Sequence, residues 1–68
     1  MILVNLYEGG EKTLAFSAEH FGVDYKQNIV ELIHNGAKVT RRFKKFNHNH
    51  ITGSDYHILD IEVDNEKE

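Results

Sequence analysis

Without a single cysteine, a chain of 68 residues has to be held together by its core and by whatever it binds. A domain of this size buries only about 60% of the surface its unfolded chain exposes, and its core alone gives about 3–5 kcal/mol of stability. The missing thiols also remove a disulfide scaffold, a thiolate nucleophile and any cysteine-based zinc site. One small domain over residues 1–63 is therefore expected, followed by an acidic tail over 64–68. The longest uninterrupted apolar run is Met1 to Val4, against the ~20 residues that a membrane helix needs, so no membrane contact is expected.

Turn signals divide the chain. The stretch Ile2 to Tyr7 is β-branched and aromatic, carries Ile2, Val4 and Leu6 on one face, and stops at Glu8-Gly9-Gly10, which predicts a first strand. Leu14, Ala18 and Phe21 then recur at i, i+4 and i+7, the spacing of one helical face, with Thr13 placed to cap the start and Gly22 to end it. Asp24 and Gln27 form a capping-box-like pair before a stripe of Ile29, Leu32 and Ile33, and Asn35-Gly36 supplies the left-handed residues common past a helix end. Residues 38–46 and 56–63 read as two strands joined by a polar loop, the second placing Leu59, Ile61 and Val63 opposite Ile58, Asp60 and Glu62. The expected fold is α+β, β-α-α-β-β, with two helices packed on a small antiparallel sheet that ends in a hairpin.

The segment from Thr13 to Gly36 resembles a helix-turn-helix. Ala18 stands where that motif wants a small residue, Gly22 at the turn with Phe21 and Val23 around it, and Ile29, Leu32 and Ile33 as the apolar triplet of the next helix. The turn is one residue longer than the family's. Within the class the segment is most similar to the short modular helix-turn-helix domains of phage and nuclease-associated proteins, and the whole chain to a miniature winged helix. The resemblance implies a phage or mobile-element regulator that binds duplex DNA in the cytoplasm of a bacterial or phage-infected cell, with a homodimer as its possible form.

On a second helix, the face opposite the apolar triplet would carry Gln27, Asn28, Glu31 and His34, with Lys26 at its first turn. Gln27 and Asn28 can bond adenine edges and Lys26 suits a phosphate; His34 completes the expected groove contacts. The same residues also fit an ordinary solvated face. Charge is distributed unevenly around a net −3: residues 1–25 carry −3, residues 26–50 carry +5 and residues 51–68 carry −5. Five of the eight basic residues, Lys38, Arg41, Arg42, Lys44 and Lys45, fall between positions 38 and 45 and suit a wing lying along phosphates. If Asp55, Asp60 and Glu62 face them across the hairpin, the two charges offset one another.

His48, His50, His57 and Asp55 offer imidazole and carboxylate donors, but no fourth position follows at zinc-site spacing, so neither a metal nor a cofactor is expected. No nucleophile, base and orienting group fall into a set, and a substrate pocket of ~300 Å³ is hard to enclose in so short a chain, so an enzyme is not expected. The rival to DNA binding is a protein-interaction module, such as a small phage inhibitor of a host or defence protein, docking through its charge asymmetry and through Tyr7, Tyr25, Phe46 and Tyr56.

Overall fold

A computed structural model describes residues 1–64, and every regular element in them is a strand. The six are β1 (Ile2–Glu8), β2 (Glu11–Ala18), β3 (His20–Asp24), β4 (Ile29–His34), β5 (Ala37–His50) and β6 (His57–Val63). They form one mixed sheet in the order β2-β1-β6-β5-β4-β3, antiparallel throughout except where β1 runs parallel to β6. Among the described residues no helix is long and apolar enough to cross a membrane. Of the expected acidic tail, residues 65–68 lie outside the described residues.

The α+β, helix-turn-helix and winged-helix expectations are thus overturned, and the reason lies in side-chain period. Leu14, Phe16 and Ala18 alternate along β2, a spacing that includes Phe16, which the helical stripe leaves out. In β4 the two fully buried residues are Val30 and Leu32, two apart, while Ile29 and Ile33 are half-buried. The helix-end signals serve turns instead. Asp24 accepts hydrogen bonds from the backbone N–H groups of Lys26 (3.0 Å) and Gln27 (3.2 Å), as a helix cap would, but the chain then turns back into β4 through Asn28 at φ 58°. Asn35 and Gly36, at φ 52° and 80°, form a two-residue hairpin between the paired His34 and Ala37, the φ pattern of a type I′ turn.

The strand expectations at the two ends of the chain hold. β1 buries Ile2, Val4 and Leu6, and β6 buries Leu59, Ile61 and Val63. In register, Val4 lies between Phe16 and Leu59, and Leu6 between Leu14 and Ile61, so these apolar residues share one face. Phe43 and Phe46 of β5 stand three apart, which strict alternation would send to opposite faces. A bulge between Phe43 and Lys45 leaves Lys44 as the extra residue and returns Phe46 to the inner face beside Ile61.

The sheet is rolled. Neighbouring strands lie about 4.8 Å apart, so β3 and β6, three steps apart in the order, would be about 14 Å apart in a flat sheet. Yet the Phe21 ring of β3 stands 6.5 Å from the His57 ring of β6 and 6.4 Å from the Phe46 ring of β5. Glu19 makes the closure, because it alone separates the two outermost strands of the order. Its N–H donates to the Ile33 carbonyl at 2.7 Å, and the His34 ring Nδ1 lies 2.7 Å from the Ser17 carbonyl. The Glu19 carboxylate accepts from the N–H groups of Asn35 and Gly36 at 3.0 and 3.2 Å. Those bonds, Gly36 first and then Asn35, hold its carboxyl below the usual carboxylate pKa.

Candidate nucleic-acid interface

Rolling the sheet assembles residues that lie far apart in the sequence. Ile29 pairs with Arg42, and the Phe43 N–H donates to the Asn28 carbonyl at 2.8 Å, so the turn of residues 24–28 is laid against the middle of β5. Tyr25, at the tip of this turn, packs edge-on against Phe43 and Phe46 with both ring centroids at 6.2 Å, and remains 68% exposed. Asn28 therefore meets the basic strand, and Lys26 and Gln27 sit beside it in a turn and not on a recognition helix. Gln27 is held by its own turn, its Nε2 donating to Asp24 Oδ2 at 3.3 Å.

The basic run divides along β5. Arg42, Lys44 and Lys45 surround the bulge beside the Tyr25 turn, and all three are exposed. Arg41 faces the other way, lining a small apolar recess with Leu6, Leu14, Phe16, His34 and Val39, and its Nη1 donates to the Thr40 carbonyl at 2.8 Å. Lys38 lies at the far end of the β4–β5 hairpin and forms an ion pair with Glu31 at 3.9 Å. His34 is also at that far end, bonded to Ser17 and packed against Phe16, so neither it nor Lys38 joins the cluster around Tyr25.

The expected offset by acids across the hairpin is partial. Lys45 stands opposite Glu62 in register, but Glu62 Oε2 also accepts from the Gly10 N–H at 3.4 Å. Asp60 stands opposite Asn47 and accepts from Asn5 Nδ2 at 3.0 Å. No side-chain ion pair with another described residue reaches Lys26, Arg42 or Lys44. The result is an exposed aromatic ring packed on Phe43 and Phe46 of the strand that carries Arg42, Lys44 and Lys45, with Lys26 next to it in the turn. The sequence offers Tyr25 as an exposed docking aromatic but not its packing on β5, because only a β-hairpin reading of Asp24 to Ile29 brings the ring to the basic strand.

A second cluster gathers on the inner face of β5 and β6. His48 Nε2 and His57 Nδ1 lie 2.8 Å apart, and the His50 ring stacks on that of His57 at 4.4 Å and 11°. Burial, together with the neighbouring His50 and His48, pushes the His57 imidazole below its ordinary pKa. Among the described residues no group of three or more His, Asp or Glu is already arranged around a common metal position. The chain matches no protein-family model, no curated protein and no solved structure.

Proposed function

We propose that this protein binds single-stranded nucleic acid on the surface made by the residue 24–28 turn and the bulge of β5, in the cytoplasm and without catalysis. The observation that carries the reading is the exposed Tyr25 ring packed on Phe43 and Phe46, next to Lys26 in its turn and against the strand that carries Arg42, Lys44 and Lys45. Bases stack on an exposed aromatic ring whatever their sequence, at about 1–3 kcal/mol each, while the cations track phosphates. Single strands are favoured over duplex because a splayed base can stack on a ring standing on a strand surface, whereas a paired base is already stacked within its helix.

Fluorescence anisotropy with a labelled oligothymidylate and a labelled duplex, at two salt concentrations, tests the reading. Four phosphate contacts predict a log–log salt slope near about −3 for a single strand. Reversing the charge at Arg42 and Lys44 together should abolish the binding, and the proposal falls if the single strand is not bound at low salt or if the double reversal binds as well as the parent. A protein partner is the second reading, supported by Leu3 and Ile58, which stand side by side on the outer face of β1 and β6 with Leu3 exposed.

A further inference from the structure

We propose that the recess beside Arg41 binds a short aliphatic carboxylate, its chain against Leu6, Leu14, Phe16 and Val39 and its carboxylate on the guanidinium. The site begins with an anomaly of register. Along β5 the inner row reads Val39, Arg41, Phe43, with Val39 opposite Leu32 and Arg41 opposite Val30, and these two partners in β4 are fully buried. An arginine therefore occupies a row that is otherwise apolar, a placement that a stable core disfavours unless the cation has a use.

The seam of the rolled sheet gives that cation an exit. β2 pairs in the sheet only with β1, and its C-terminal end is tied to β4 by the Glu19 N–H to the Ile33 carbonyl and by the His34 ring to the Ser17 carbonyl. Leu14 and Phe16 of β2 face Val39 and Arg41 of β5 across a recess of about 200 Å³, with the buried Leu6 of β1 at its floor. The His34 ring, edge-on to Phe16 at 4.9 Å, forms one wall. Leu14 stays 52% exposed here. Apolar surface left uncovered beside a cation is what an amphipathic anion covers.

Charge and size choose the ligand. Arg41 Nη1 donates to the Thr40 carbonyl, and no carboxylate of another described residue forms an ion pair with the guanidinium. Its remaining N–H groups match the two oxygens of a carboxylate, which a planar fork binds through two parallel hydrogen bonds. Drug-sized ligands take clefts of about 300–1,000 Å³, so this smaller recess suits a chain of a few carbons and not a long fatty acid. None of the lining residues belongs to the Tyr25 surface, so the inference stands apart from nucleic-acid binding.

Hexanoate, acetate and 1-hexanol are each titrated into the isotope-labelled full chain at pH 7.5 and followed by NMR through methyl and amide shifts. Hexanoate should bind saturably with a Kd of about 1 mM, a value open to a ligand of about eight non-hydrogen atoms, and should shift the methyls of Leu6, Leu14 and Val39 first. Acetate, which lacks the chain, and hexanol, which lacks the charge, should each bind at least tenfold more weakly. Arg41→Gln should weaken hexanoate at least tenfold, and Lys38→Gln, which removes a cation already paired with Glu31, should leave it unchanged. Arg41 is exposed, so its variant should keep the fold, which the amide spectrum checks; the comparison of hexanoate with hexanol needs no variant at all. Absence of saturable binding, hexanol binding as tightly as hexanoate, or shifts that begin at Leu3 and Ile58 overturns the proposal.

Discussion

Val30 separates a strand from a helix in this chain more sharply than any other residue. A helix over the segment buries Ile29, Leu32 and Ile33, whereas the sheet leaves Val30 with 0% of its surface exposed, paired with Val23 on one side and Arg41 on the other. Val30→Ala removes two methyl groups from this position. Their transfer is worth about 1.6 kcal/mol at about 0.8 kcal/mol per group, and the residual cavity raises the loss to about 2 kcal/mol. A domain of this size has only about 3–5 kcal/mol to lose, so the urea midpoint should fall by about 2 M if the denaturant slope is about 1 kcal/mol per molar. Circular dichroism through a urea titration reads this directly. Glu31→Ala is the control: the Glu31 side chain is exposed and forms the 3.9 Å ion pair to Lys38, and its removal should shift stability by less than about 0.5 kcal/mol. A Val30→Ala loss no greater than that of the control would refute the buried-strand placement.

Other perturbations test the turns, the histidines and the binding surface. Gly36→Ala meets no neighbouring atom but places a side chain at φ +80°, so a loss of about 1–2 kcal/mol is expected in the same titration. The His57 imidazole, which faces His50, His48, the Met1 amine and Asp55, has a depressed pKa in the folded chain, so the unfolded chain binds more protons as pH falls. Its contribution to stability is present above about 6.5, the unfolded value, and is lost as pH falls toward the lower folded value; the urea midpoint should drop between pH 7.5 and 5, and His57→Gln should flatten that limb. The depressed Glu19 carboxyl gives a further loss below its ordinary value of 4.5, which Glu19→Gln should remove from a melting series at acid pH. Tyr25→Phe should keep single-strand affinity, whereas Tyr25→Ala should weaken it by the stacking of one base, about 1–3 kcal/mol in anisotropy.

The strands legible in the sequence were those whose faces differ plainly in chemistry. Leu59, Ile61 and Val63 against Ile58, Asp60 and Glu62 leave little choice, and Ile2, Val4 and Leu6 give β1 in the same way. The middle of the chain was ambiguous because its signals are local and shared between structures. Asp24 bonds the N–H groups two and three residues on whether a helix or a hairpin follows, and Asn35-Gly36 takes left-handed dihedrals at a helix end and in a type I′ turn alike. What decides between them is long-range pairing with β1 and β5, which short spacings do not encode. The basic run was visible as composition, but its division into an exposed group at the bulge, an inward Arg41 and an ion-paired Lys38 depended on register. The approach of His48 to His57 depended on the same register.

The parallel pairing of β1 with β6 sets an order of events during synthesis. β1 can pair with β2 as soon as the Gly9-Gly10 turn has been made, but its other edge has no partner until β6 is complete, some 50 residues later. At about 5–20 residues per second the ribosome leaves that edge uncovered for roughly 3–10 s. Throughout that interval the nascent chain displays a hydrophobic strand with unused backbone donors and acceptors, open to chaperones or to another copy of itself.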